Sequence, residues 1–160
     1  MNFKNIAILF LVGTVSLSCN AQNESAQTTR TGSQNPIIFA KGEKITNDNF
    51  IGTVWLNNLV QADSLNQYAV GSVTFEPGAR TKWHMHPSGQ IILALDGVGY
   101  YQEKGQSKVI LRKGDVIKCS PNIAHWHGAS PDMPFIQVAI TSRQNGPTVW
   151  LQAVKEEEYN

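Results

Sequence analysis

Gly78-Ala79-Arg80-Thr81-Lys82-Trp83-His84-Met85-His86-Pro87-Ser88-Gly89-Gln90, running on through an apolar segment to Gly97, is the stretch whose reading decides the fold. It holds one His-x-His pair, and a second follows at His125-Trp126-His127. The two pairs account for all four histidines of the chain. A strand alternates its side chains with period two, so each pair presents both imidazoles on one face. Neutral imidazole is the commonest protein ligand for first-row divalent ions. If the two strands meet, four imidazoles share one site. Histidines satisfied separately in a core would not be gathered into matched pairs.

Outward from this stretch the chain reads as short strands punctuated by turns. Val54 to Val60 and Tyr68 to Phe75 are β-rich, and Pro77-Gly78 breaks them off from the histidine run. Lys82 to His86 alternates, Pro87-Ser88-Gly89 turns, and Gln90 to Leu95 is a strongly apolar strand. Asp96-Gly97 is the strongest hairpin signal of the chain, with Val98 to Gln102 as its return strand. Further strands are expected at 107–111, 115–119, 124–128, 135–141 and 148–151, with a short acidic helix at 155–159. No long helical pattern separates them. The expected class is therefore all-β, a sandwich or a closed barrel in a single domain.

Composition agrees with one globular domain. The chain has 160 residues, is 41% hydrophobic and 16% charged, and carries a net charge of +1. Basic residues are scattered without a stripe, so a nucleic-acid partner is not expected. Residues 1–21 read as a signal peptide, with Lys4 ahead of an apolar run too short to span a bilayer. Two processing readings stay open. Cys19-Asn20-Ala21 fits cleavage before Gln22, and Leu17-Ser18-Cys19 resembles a lipobox, which would make Cys19 a lipid anchor. Either reading has the protein exported to the periplasm. Residues 22–35 are polar and aperiodic, a disordered tether, and the folded domain is expected at 36–160. With Cys19 removed or lipidated, Cys119 is a lone thiol, read as buried and inert.

The motif region, residues 78–129, resembles the cupin superfamily. The first cupin motif runs Gly, five residues, His-x-His, three or four residues, Glu, six residues, Gly. It is met here by Gly78, His84, His86, Gln90 in place of Glu, and Gly97. The second motif is worn: Gly114 and His125 match, while Ser120, Asn122 and Ala129 replace its proline, glycine and asparagine. The resemblance implies a double-stranded β-helix (jelly-roll) barrel holding one divalent metal on His84, His86, Gln90 and His125. It also implies a homodimer.

Gln90 matters chemically. It offers a neutral carbonyl oxygen where a carboxylate is usual, so the cation would have no protein anion beside it. Such a site binds its metal less tightly and is the stronger Lewis acid. It also departs from the two-histidine, one-carboxylate design of iron oxygenases. His127 shares a face with His125. General base is the favoured role, with fifth ligand or outer hydrogen-bond partner as the alternatives. Trp83, Met85 and Trp126 alternate with the histidines and are expected to pack away from the site. Thr81 can reach it only if the strand is irregular near Lys82.

Gln90, the run from His125 to Asp132 and the Trp150-Leu151 ending are also similar to a narrower group. These are small bacterial cupins described alongside carboxymuconolactone decarboxylases, and they include manganese-dependent hydroxynitrile lyases. That resemblance implies manganese (with iron, nickel, copper or zinc as other candidates), a small-molecule substrate and carbon–carbon bond cleavage assisted by His127. Two other classes stay open: a cupin-type metal-dependent dioxygenase, and a non-catalytic binder of a sugar, small anion or metal.

Overall fold

The computed structural model describes residues 38–160, which form one all-β unit of antiparallel pairs. The expected signal peptide, tether, Cys19 and the domain start at residue 36 lie outside the described residues. The strands are β1 (Glu43–Lys44), β2 (Phe50–Ile51), β3 (Val54–Val60), β4 (Tyr68–Phe75), β5 (Arg80–Thr81), β6 (His84–Met85) and β7 (Gln90–Glu103). They continue with β8 (Val109–Arg112), β9 (Val116–Cys119), β10 (His125–Ala129), β11 (Phe135–Ser142) and β12 (Val149–Trp150), before helix α1 (Glu156–Tyr159). The main path of the curled sheet is β1-β3-β4-β11-β7-β10-β5-β2, with β8 and β9 added along β7 and β6 bridging β10 and β12.

The expected hairpin at Asp96-Gly97 is not formed. Residues 90–103 are one continuous strand that serves both halves of the barrel. Its first half pairs with β9 and β11, and its second with β8 and β10. What looked like a turn is a β-bulge. Ile136 of β11 lies opposite Asp96 but Gln137 opposite Ala94, so Leu95 is an extra residue. The bulge moves the inward parity: Gln90, Ile92 and Ala94 are buried before it, Gly99 and Tyr101 after it. Gly97 permits this with φ +78°, and a Cβ there would stand 1.9 Å from the Pro134 carbonyl oxygen. Asp-Gly is suited to a left-handed residue. A bulge uses that conformation as readily as a hairpin does, and the apolar residues on both sides keep the chain in the sheet.

The inward residues of both halves make the main core: Val54, Phe75, Ile92, Leu111 and Phe135, each at most 1% exposed. Burying each such side chain contributes roughly 1.5–3 kcal/mol. Behind the histidine strands lies a second core of Trp83, Trp126, Val154 and Tyr159. Trp83 and Trp126 face away from the imidazoles, as the alternation predicts. The acidic tail clamps this side. The Tyr159 hydroxyl donates to the Ala129 carbonyl at 2.8 Å, Trp83 Nε1 donates to Glu158 at 3.1 Å, and the Arg80 guanidinium lies 4.2 Å from the Tyr159 ring centre. The tail thus braces β5, β6 and β10 from outside.

Candidate metal centre

Strand register brings the two His-x-His pairs together. His84 of β6 lies directly opposite His125 of β10, and their rings are 4.4 Å apart, centre to centre. His86 lies just beyond β6, with its ring centre 5.0 Å from that of His84 and 5.4 Å from that of His125. The His127 ring is 5.3 Å from that of His84. All four are at most 4% exposed. Ring nitrogens of His84, His125 and His127 lie within 4.8 Å of one another. Gln90 is buried at the start of β7. Its amide nitrogen donates to Thr141 Oγ1 at 2.9 Å, and its carbonyl oxygen is buried without a partner.

The outer nitrogens assign the tautomers. His84 Nδ1 lies 2.9 Å from the Lys82 carbonyl oxygen, and His125 Nδ1 lies 2.9 Å from the Ile123 carbonyl oxygen. A carbonyl only accepts, so Nδ1 carries the proton in both rings and Nε2 keeps its lone pair. His86 Nδ1 lies 3.1 Å from Thr148 Oγ1, which admits the same tautomer. This outward anchoring of Nδ1 is the usual support of a metal-bound imidazole. The Nε2 atoms of His86 and His125, the His127 Nδ1 and the Gln90 carbonyl oxygen are all buried and unpartnered. Leaving a buried polar atom unpaired costs about 1–3 kcal/mol. Unpaired acceptor atoms on clustered imidazoles and on Gln90 fit a cation, and a donor set of imidazoles and an amide oxygen suits a first-row divalent ion.

Electrostatics keep the rings neutral. Burial, and then the charge of His125, holds His84 well below the ordinary histidine range. Burial lowers His86 to about 3, with His125 and Arg143 adding to the effect. Burial lowers His125 as well. His127 is held well below its usual value, first by burial and then by the other three histidines. A neutral ring is the form that ligates metal or accepts a proton.

The site opens into a cavity of about 490 Å³ between the two halves of the barrel. His84, His86, Gln90 and His127 line it together with Phe50, Phe75 and Trp150. Thr81 also lines it, because the strand breaks at Lys82–Trp83, between β5 and β6, and restores an inward phase. Its hydroxyl accepts the His127 backbone N–H at 3.1 Å. Sequence reasoning missed Gln137, which lines the same cavity and is fully buried with both amide atoms unpaired. It also missed Arg143 and Thr148 at the mouth. Isolated polar residues on strands or in turns carry no spacing signal, and only the fold brings them to the histidines. Cys119 is 1% exposed, buried as expected, and burial pushes its thiol up to about 12.

Comparison with known proteins agrees with this geometry. The model of the cupin domain family matches residues 71–140. The (R)-mandelonitrile lyase of Granulicella tundricola is 43% identical over 113 residues, covering 70% of this chain and 86% of that enzyme. A cupin-like protein from Thermotoga maritima is 47% identical with a TM-score of 0.73, covering 76% of this chain and 93% of its own. A predicted oxalate decarboxylase from the same organism has a TM-score of 0.56 at 20% identity, covering 68% and 91%, and shares the fold. With its paired histidines facing each other inside a curled antiparallel sheet, the chain belongs to the cupin family.

Proposed function

We propose that the protein is a metal-dependent lyase that cleaves a carbon–carbon bond at a hydroxyl-bearing carbon, in the manner of a hydroxynitrile lyase. The observation that carries this reading is the difference among the four histidines. His84, His86 and His125 have Nδ1 held from outside and Nε2 free, the arrangement of ligands. His127 Nδ1 is unpartnered, and its ring lines the cavity. We assign His84, His86, Gln90 and His125 as the residues that hold the metal, with manganese as the expected ion, and His127 as the general base. The similarity to the (R)-mandelonitrile lyase of Granulicella tundricola supports the lyase reading.

The bound cation would supply Lewis acidity toward a substrate oxygen. The chain's own groups do the rest. His127, neutral because it is buried, accepts the hydroxyl proton. As the carbon–carbon bond breaks, its electron pair leaves with the departing carbon and the hydroxyl oxygen becomes a carbonyl oxygen. For a cyanohydrin the products are an aldehyde and cyanide, and His127 returns its proton to cyanide. The unpaired Gln137 amide lies in the same wall and can orient the substrate. Phe50, Phe75 and Trp150 supply apolar walls. In the same reading the protein is exported to the periplasm, free or anchored through Cys19, and works as a homodimer.

The test is His127→Ala beside the wild type, assayed for metal content and for cyanide release from aromatic and aliphatic cyanohydrins. The expected variant keeps its metal and loses at least about a hundredfold in turnover. Unchanged turnover would remove His127 from the reaction, and loss of the metal would make it a ligand.

A further inference from the structure

Among the described residues that line the cavity, Arg143 is the only one with a formal charge, and no Asp or Glu joins it there. It follows directly on β11, and its turn is closed by the Gly146 N–H donating to the Arg143 carbonyl at 3.1 Å. The backbone N–H of Arg143 donates to the Gln67 carbonyl at 2.7 Å, which fixes the base of the side chain. Its Nη1 donates to Thr148 Oγ1 at 2.9 Å, and that oxygen lies 3.1 Å from His86 Nδ1. The guanidinium is thus tied by one hydroxyl to the histidine cluster. No ion pair involves it among the described residues. The residue is exposed, so its guanidinium is open to solvent as well as to the cavity it lines.

The charge balance of the cavity is one-sided. The ring nitrogens and the Gln90 oxygen are neutral donors, and the other polar groups near the mouth include the amides of Asn47, Asn49 and Asn58. A divalent cation on the histidines would therefore stand uncompensated in a cavity whose charged lining residue is itself cationic. Opposite charge confined between low-dielectric walls is strongly attracted. A guanidinium with free N–H groups also matches the two oxygens of a carboxylate.

We propose that Arg143 is an anion subsite at the cavity mouth, and that the native substrate is a small organic acid bearing a hydroxyl or carbonyl oxygen. Its carboxylate docks on Arg143 and its reacting oxygen points toward the histidines. This rests on the lyase reading for the chemistry, but the subsite stands or falls by binding alone. A cyanohydrin then serves as a probe of the reaction, and the native substrate carries a carboxylate.

The experiment is calorimetric titration of the metal-loaded protein with lactate and with lactamide, its uncharged counterpart, for the wild type, Arg143→Gln and Arg143→Lys. Metal content is measured for each. The wild type should bind lactate at least about tenfold more tightly than lactamide. Arg143→Gln should remove that preference with metal content and lactamide binding unchanged, and Arg143→Lys should restore part of it. Equal binding of the two compounds by the wild type, or a lactate preference intact in Arg143→Gln, would overturn the proposal. If no cyanohydrin is cleaved but lactate binding depends on Arg143, the lyase reading fails and the subsite remains.

Discussion

Acidification of the metal-stripped protein should unfold it well above the pH at which carboxylates titrate. An unfolded histidine takes up its proton near pH 6.5. In the folded protein His86 is lowered to about 3, chiefly by burial and then by His125 and Arg143. The unfolded chain therefore binds the extra proton as the pH falls, and stability must fall with it. The contribution is fully present above pH 6.5 and is lost progressively on the way down to the folded value. Each proton is worth 1.36 kcal/mol per pH unit, so His86 alone removes about 2 kcal/mol between pH 6.5 and 5.0. Carried down to pH 3, the loss from His86 approaches about 5 kcal/mol. His84 and His127, held well below the usual range by burial first, add losses of the same sign, as does His125. Against a total stability of about 5–15 kcal/mol for a domain of this kind, the sum is decisive. The assay is urea unfolding after chelator dialysis, followed by tryptophan fluorescence at pH 7.5, 6.5, 5.5 and 5.0. The midpoint should drop steadily across this range, and bound metal should delay the drop. A midpoint equal at pH 7.5 and pH 5.0 in the stripped protein would refute the reasoning, because it would mean that the folded rings titrate as freely as the unfolded ones.

Gly97→Ala should destabilise the protein by at least about 2 kcal/mol in the same urea assay, since the added Cβ meets a backbone oxygen in a left-handed conformation; a neutral result would deny the bulge. Tyr159→Phe should cost about 1–2 kcal/mol, measured by thermal unfolding, because it leaves the buried Ala129 carbonyl unpaired. Cys119 should resist a thiol reagent at pH 8 until denaturant is added; rapid labelling of the native protein would contradict its burial.

The histidine pairs were legible in the sequence because a period of two is short and leaves little freedom. His84, His86 and Gln90 had only to keep phase across Pro87–Gly89, and they do. The all-β class followed from the turn spacing. The bulge at Gly97 was not legible, since a left-handed Asp-Gly suits a hairpin and a bulge alike, and the choice is made by β11 and β10 pairing along one strand. The inward placement of Thr81 depends on a strand break that no local residue announces. Gln137 and Arg143 were silent because each is a single polar residue without a pattern. The role of the tail was hidden for a related reason: Lys155 to Tyr159 reads as a short acidic helix, but the aromatic core it clamps is assembled from residues far away in the chain.

The central claim is that the imidazoles and Gln90 hold a divalent cation. It is tested most directly by elemental analysis of the protein purified from its native compartment, with Gln90→Ala and His125→Ala beside it. The account predicts close to one divalent ion per chain in the wild type, manganese foremost, and a marked loss in both variants while their folds, checked by circular dichroism, persist. A wild-type protein without metal, or folded variants that keep the full complement, would contradict it.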